Sequence, residues 1–90
     1  MALTQEFNPV NLSASALIAT GHGVAGGILV NSTTGGTLTL YDSLTASGTK
    51  ITNATTLNAG TMVWLNSTFL VGLYAQIGGT ADITIMWISA

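Results

Sequence analysis

The chain has 90 residues and a formal net charge of -2, with only Glu6, Asp42, Lys50 and Asp82 fully charged at neutral pH. That length allows one small domain, and the charge balance gives no basic footprint for nucleic acid or an anionic membrane surface. The 48% apolar content argues against intrinsic disorder, and the absence of cysteine excludes disulfides and thiolate metal sites. One histidine and three carboxylates are a thin stock of acids, bases and ligands. The composition therefore argues against an enzyme and calls for no metal and no cofactor.

The chain carries 15 Thr, 11 Gly, 7 Ser and 6 Asn. Thr favours pleated strands, and Gly, Asn and Ser favour turns, so an all-β class is expected. Taken in order, residues 1–12 read as an extended N-terminal arm. Asn8-Pro9 disfavours helix there, and Phe7 is an isolated aromatic that can anchor the arm on a neighbour. Residues 13–90 form the domain. A strand is expected over 14–20, with a helix over 13–19, capped by Ser13, as the competing reading. Gly21-His22-Gly23 breaks the chain, and 24–31 is a second strand.

Residues 32–36 read as a turn, and 37–42 follow with Leu38 and Leu40 on one side and Thr37, Thr39 and Tyr41 on the other. This alternation beside Gly35-Gly36 is the clearest hairpin signal. Residues 43–49 form a polar loop, 50–52 a short strand and 53–60 a loop. Residues 61–66 place Met62 and Trp64 on one face and Val63 and Leu65 on the other. Asn66-Ser67 reads as a tight turn. A strand over 69–77 then has Phe69, Val71, Leu73, Ala75 and Ile77 on one face and Leu70, Gly72, Tyr74 and Gln76 on the other. Gly78-Gly79 turns the chain, and 80–88 sets Ile83, Ile85 and Trp87 against Asp82, Thr84, Met86 and Ile88. About seven short strands at this spacing predict a small antiparallel β-sandwich or a jelly-roll-like barrel.

Several strands are apolar on both faces. One face fills the core, and the other has to meet a second layer or a second subunit. A domain of this size buries only about 60–65% of its unfolded surface, so its own core is marginal. Both points predict a homo-oligomer. Phe7, Tyr41, Trp64, Leu70, Tyr74 and Trp87 are the candidate interface residues, because large aromatic and apolar side chains dominate interface energies.

The remaining motifs carry little chemistry. Gly21-His22-Gly23-Val24-Ala25-Gly26 matches G-x-G-x-x-G, but the following residues favour strand rather than the helix a phosphate cradle needs. His22 is alone, whereas a metal site takes three or four ligands. Asp42, Lys50 and Asp82 read as turn-fixing or interface groups. Sequons stand at Asn11, Asn31, Asn53 and Asn66, but the N-terminus shows no secretory pattern, so glycosylation is not expected. Residues 12–30 are apolar enough to be weighed as a membrane span, yet they hold His22 and four glycines and lack flanking basic residues. No membrane partner is expected.

The segments Gly27-Ile-Leu-Val-Asn31, Gly36-Thr-Leu-Thr-Leu-Tyr-Asp-Ser43, Ser47-Gly-Thr-Lys-Ile51, Gly72-Leu-Tyr-Ala75 and Gly79-Thr-Ala-Asp-Ile-Thr-Ile-Met-Trp87 occur in that order. Over residues 24–88 the chain resembles small β-rich virion proteins of tailed bacteriophages, of the capsid decoration or cement type. The resemblance implies a structural protein without catalytic residues, bridging major capsid protein subunits at the capsid surface as a homotrimer and assembled in the host cytoplasm. Pro9, Phe7 and their polar surroundings lead to the expectation that residues 1–12 reach the capsid lattice or a neighbouring subunit. The alternative is a receptor- or carbohydrate-binding module of a head or tail fibre, which would use an exposed aromatic platform.

Overall fold

The computed structural model describes residues 7–89, and within them the chain is strand and loop with no helix. The strands are β1 (Asn8–Leu12), β2 (Ala16–Thr20), β3 (Gly23–Asp42), β4 (Thr49–Lys50), β5 (Thr55–Thr56), β6 (Met62–Phe69) and β7 (Gly72–Ser89). All pairings are antiparallel. β3 and β7 run side by side over their full lengths, from Gly23 opposite Ser89 to Tyr41 opposite Tyr74. β1 and β2 line the free side of β7, and β6, β5 and β4 line the free side of β3.

This ribbon is doubled over on itself. Twenty extended residues would span roughly 66 Å, yet the longest dimension of the molecule is 41 Å. The two ends of β3 also meet: Phe69 pairs with Gly23, and the amide of the next residue, Leu70, donates to the Asp42 carboxylate at 3.0 Å. The sheet therefore forms two facing leaves. The first holds β1, residues 80–89, residues 23–34 and β6, in that spatial order. The second holds β2, residues 72–78, residues 37–42 and the segment 49–57. Segments alternate between leaves along the chain in the order of a jelly roll, the expected class. The sandwich stays open along the side where β5 and β6 lie.

The fold turns on its glycines. Gly35 and Gly79 have φ of 62° and 70°. A Cβ at Gly79 would lie 2.5 Å from the Gly35 carbonyl oxygen, so β3 passes too close at this bend for a side chain at Gly79. Register shifts at Val30/Ser32 and Thr34/Thr37 add the curvature. Here the structure corrects two expectations. Neither Gly35-Gly36 nor Gly78-Gly79 reverses the chain; each bends a strand that continues, which is why residues expected as two hairpins form two long strands. Asn66-Ser67 likewise lies inside β6, with Asn66 at φ 53° supplying a kink rather than a reversal.

The helix weighed over 13–19 is absent, because Ala16–Thr20 pairs with β7. The apolar run 12–30 is divided among β1, β2 and β3, and no helix of the described residues is long and apolar enough to cross a membrane. Part of the expected N-terminal arm is an edge strand, since Asn8–Leu12 pairs with residues 83–87. Residues 1–6 lie outside the described region.

The core sits between the leaves. Ala25, Ile28, Val30, Ala81, Ile83, Ile85 and Phe69 come from the first leaf, and Ala19, Leu38, Leu40, Leu73 and Ala75 from the second. Within each straight run the inward positions follow the period-2 alternation; the irregularity between Ala25 and Gly27 shifts it, and the strand expected over 69–77 is instead broken at 70–71, which leaves Val71 exposed. Each fully buried Leu, Ile or Phe contributes roughly 1.5–3 kcal/mol.

Candidate interaction surface

The outer face of the first leaf is the chain's second apolar layer. Directly opposed residues in an antiparallel sheet point to the same side. The pairings Pro9 with Met86, Met86 with Gly27 and Gly27 with Trp64 therefore form one row across the leaf. The next row runs Asn11, Thr84, Leu29 and Met62. Trp64 is 68% exposed, and Leu29 and Met62 are exposed beside it. Phe7 lies against Gly26, where its ring occupies the space a Cβ would need, and at Gly27 that space is bounded by the Val63 carbonyl and the Trp64 ring. These two adjacent glycines let an aromatic ring rest on the backbone, a role their G-x-G-x-x-G spacing did not announce.

Beyond Leu29 the face turns polar. Asn11 Nδ2 donates to Asp82 Oδ1 at 2.7 Å, and Asn31 Nδ2 donates to the same oxygen at 3.0 Å and to Thr84 Oγ1 at 3.1 Å. Those two amides hold the Asp82 carboxyl below its ordinary value against a small opposing effect of desolvation. Asp82 is thus an organiser of neighbouring strands from a position inside β7.

The outer face of the second leaf is different in kind. Leu17, Tyr74, Tyr41 and Lys50 lie in one row, with Thr39 and Gln76 in the next. Tyr41 is only 7% exposed, and its hydroxyl donates to Gln76 Oε1 at 3.1 Å.

A third arrangement joins the tips of the leaves. The Asp42 carboxylate accepts the amides of Leu70, Val71 and Gly72 at 2.8–3.3 Å, and the Gly21 amide donates to the Val71 carbonyl at 2.8 Å. Both two-residue crossings between leaves, 21–22 and 70–71, are fixed here. Desolvation pushes the Asp42 carboxyl up, but the hydrogen bonds from Val71, Leu70 and Gly72 and the charge of nearby His22 outweigh it and leave it below its ordinary value. Leu70, at 67% exposed, and Val71 project from this tip.

The six candidate interface residues are thereby dispersed. Trp64 and Phe7 belong to the apolar first leaf, and Leu70 stands at the exposed tip. Tyr74 is half-buried on the second leaf, and Tyr41 is covered. Trp87 points inward and packs on the core, with Nε1 buried and without a hydrogen-bond partner among the described residues. Reading the sequence missed Leu29, Met62 and Met86. Their signal was the two-faced apolar pattern, which did not say which leaf would carry it.

No group of three or more metal-ligating side chains occurs among the described residues. A cleft of about 50 Å³ opens at the side of the sandwich, lined by Ile28, Leu38, Leu57, Val63 and Leu65 with Thr52 and Thr55. It is apolar and large enough for one side chain, and it presents no acid, base or nucleophile pair. Comparison with family models, with curated proteins and with solved structures finds no match.

Proposed function

We propose that this chain is a structural virion protein that decorates and stabilises a phage capsid, bridging capsid subunits as a homo-oligomer. The observation that carries the reading is the apolar outer face of the first leaf, centred on the exposed Trp64, in a domain with almost no charge to keep copies apart. The jelly-roll order agrees with it by analogy, since that fold recurs in viral capsid domains. The resemblance to cement proteins supplies the capsid as partner, the virion surface as location and three as the implied number of copies.

The second reading is a carbohydrate- or receptor-binding module of a fibre. It is favoured by Trp64 and Met62 lying next to the polar row of Asn11, Asn31, Asp82 and Thr84, an aromatic platform with hydrogen-bonding neighbours. Jelly rolls also serve as lectin domains.

Immunogold electron microscopy separates the readings. An antiserum against the purified chain should label head surfaces of particles recovered from the cells that make it. Label confined to tails or fibres, together with a positive glycan array, would replace the first reading with the second. Particles without any label would remove the virion reading altogether.

A further inference from the structure

Every sheet has edges, and among the described residues this one leaves a stretch of β6 unprotected. β1 carries Pro9, which lacks an amide to donate. Beside it, the chain leaves the sheet at 13–15, and β2 has a register shift between Leu17 and Ala19. β4 and β5 are two residues each. Short, bulged or proline-bearing edges resist pairing with other chains. β6 has one of them, the irregularity at Leu65-Asn66 opposite Gly26, and the straight run 62–64 before it has none. Its eight residues contain no proline and no charge, and among the described residues no strand covers its outer side.

The geometry of β6 says how it would pair. The Thr61 carbonyl accepts the Val30 amide at 2.9 Å, so it points toward β3. By the alternation of a strand, Met62 and Trp64 then turn both N–H and C=O to the open side, while Val63 turns its own toward β3. Asn66, at φ 53°, ends the straight run.

We infer that β6 pairs antiparallel with β6 of a second copy of this chain, about a two-fold axis at Val63. In that register Met62 faces the partner's Trp64 twice, and four backbone hydrogen bonds close. Each Trp64 ring meets a Met62 thioether on the outer face, a favourable sulfur–aromatic contact. The two Val63 side chains meet on the inner face, beside the apolar cleft that Val63, Leu65 and Leu57 already line.

A second copy is the occupant for three reasons. The edge is uncharged, so two copies approach without repulsion and without selecting a charged partner. The donor and acceptor pattern of residues 62–64 is its own complement under a two-fold rotation. A standard interface takes roughly 800 Å² from each partner; at 68% exposed, Trp64 supplies on the order of 100–170 Å² of it, and Met62, Val63 and Leu29 lie beside it. The inference rests on the self-association part of the proposed function and needs nothing of its capsid part. It does replace the implied trimer contact. A ring of three requires two unlike surfaces to meet, and the edge opposite β6 is the blunted one.

The test is the native mass of the full chain by size exclusion with light scattering, over about a hundredfold range of concentration. Twice 9.1 kDa at the upper end is expected. A monomer throughout overturns the inference and the self-association reading together. A trimer overturns the β6 pairing alone and leaves the homo-oligomeric structural protein standing.

Val63→Cys gives a second, independent measurement, because the chain has no other thiol. Facing residues of a non-hydrogen-bonded antiparallel pair have Cα atoms about 4.5 Å apart, within disulfide range. Under mild oxidation this variant should form covalent dimers about tenfold or more faster than Leu70→Cys, since pairing raises the second thiol toward millimolar effective concentration. Equal rates overturn the register. Mixing Val63→Lys with Val63→Glu chains should restore dimers that neither forms alone. Failure to restore them in folded chains, checked by circular dichroism, overturns it as well.

Discussion

Replacing Asp42 by alanine removes the one side chain that ties the far end of β3 to the crossing between β6 and β7. Its carboxylate receives three amides, those of Leu70, Val71 and Gly72. Hydrogen bonds to a charged group contribute about 1.5–3 kcal/mol each where water is excluded. The amides of Leu70 and Val71 belong to exposed residues, so water replaces most of what they lose, and only Gly72 is buried. Measured losses for comparable exposed caps are about 0.5–2 kcal/mol. The sum for Asp42→Ala is then about 2–3 kcal/mol, which for a domain of this size lowers Tm by about 10–20 °C.

Asp42→Asn keeps an oxygen at Oδ1, the atom that all three amides reach, but loses the charge; it should lose about half as much. The pH dependence has a fixed sign. The Asp42 carboxyl is held below its ordinary value in the folded state. Its contribution is therefore complete above that value and disappears as pH falls through the depressed folded value. Thermal melts followed by circular dichroism, at one protein concentration, should show the wild-type and Asp42→Ala curves well apart at pH 7 and converging at the lowest pH. Melts within about 2 °C at pH 7, or a gap that persists at the lowest pH, would refute the reasoning.

Gly79→Ala should cost about 2 kcal/mol or more in urea unfolding, because the positive φ alone costs about 1–2 kcal/mol and the new methyl meets the Gly35 carbonyl; a wild-type urea midpoint would mean that the leaves are not joined by this bend. Phe69→Ala empties a wholly buried site and should lose about 3–5 kcal/mol, a large part of the 5–15 kcal/mol typical of a domain, seen as unfolding at low urea. Trp87→Phe should be nearly neutral, since the lost ring area is offset by removing an indole N–H that has no partner among the described residues; a loss like that of Phe69→Ala would show that the N–H is satisfied in solution.

How much of this was legible in the sequence follows from the range of each interaction. Alternation is a property of the pleated backbone itself, so Leu38 and Leu40 against Thr39 and Tyr41, Ile83 and Ile85 against Thr84 and Met86, and Val63 and Leu65 against Met62 and Trp64 fall on the sides that the pattern assigned. The all-β class followed from composition for the same reason, as strand and turn preferences act residue by residue. Glycine at positive φ is the opposite case. The conformation that closes a hairpin also bends a strand that continues, and local sequence does not separate the two.

Only the long-range pairing of β3 with β7 decided that Gly35 and Gly79 bend one ribbon into two leaves. That decision in turn brought Asp42 to the amides of residues 70–72 and placed Phe69 in the core. It covered Tyr41 while leaving Trp64 and the β6 edge open. The sequence carries the two faces of every strand, because the pleat writes them locally. Which face meets the core's other leaf, and which remains for a partner, depends on residues as far apart along the chain as Asn8 and Trp87, and only the tertiary fold brings those together.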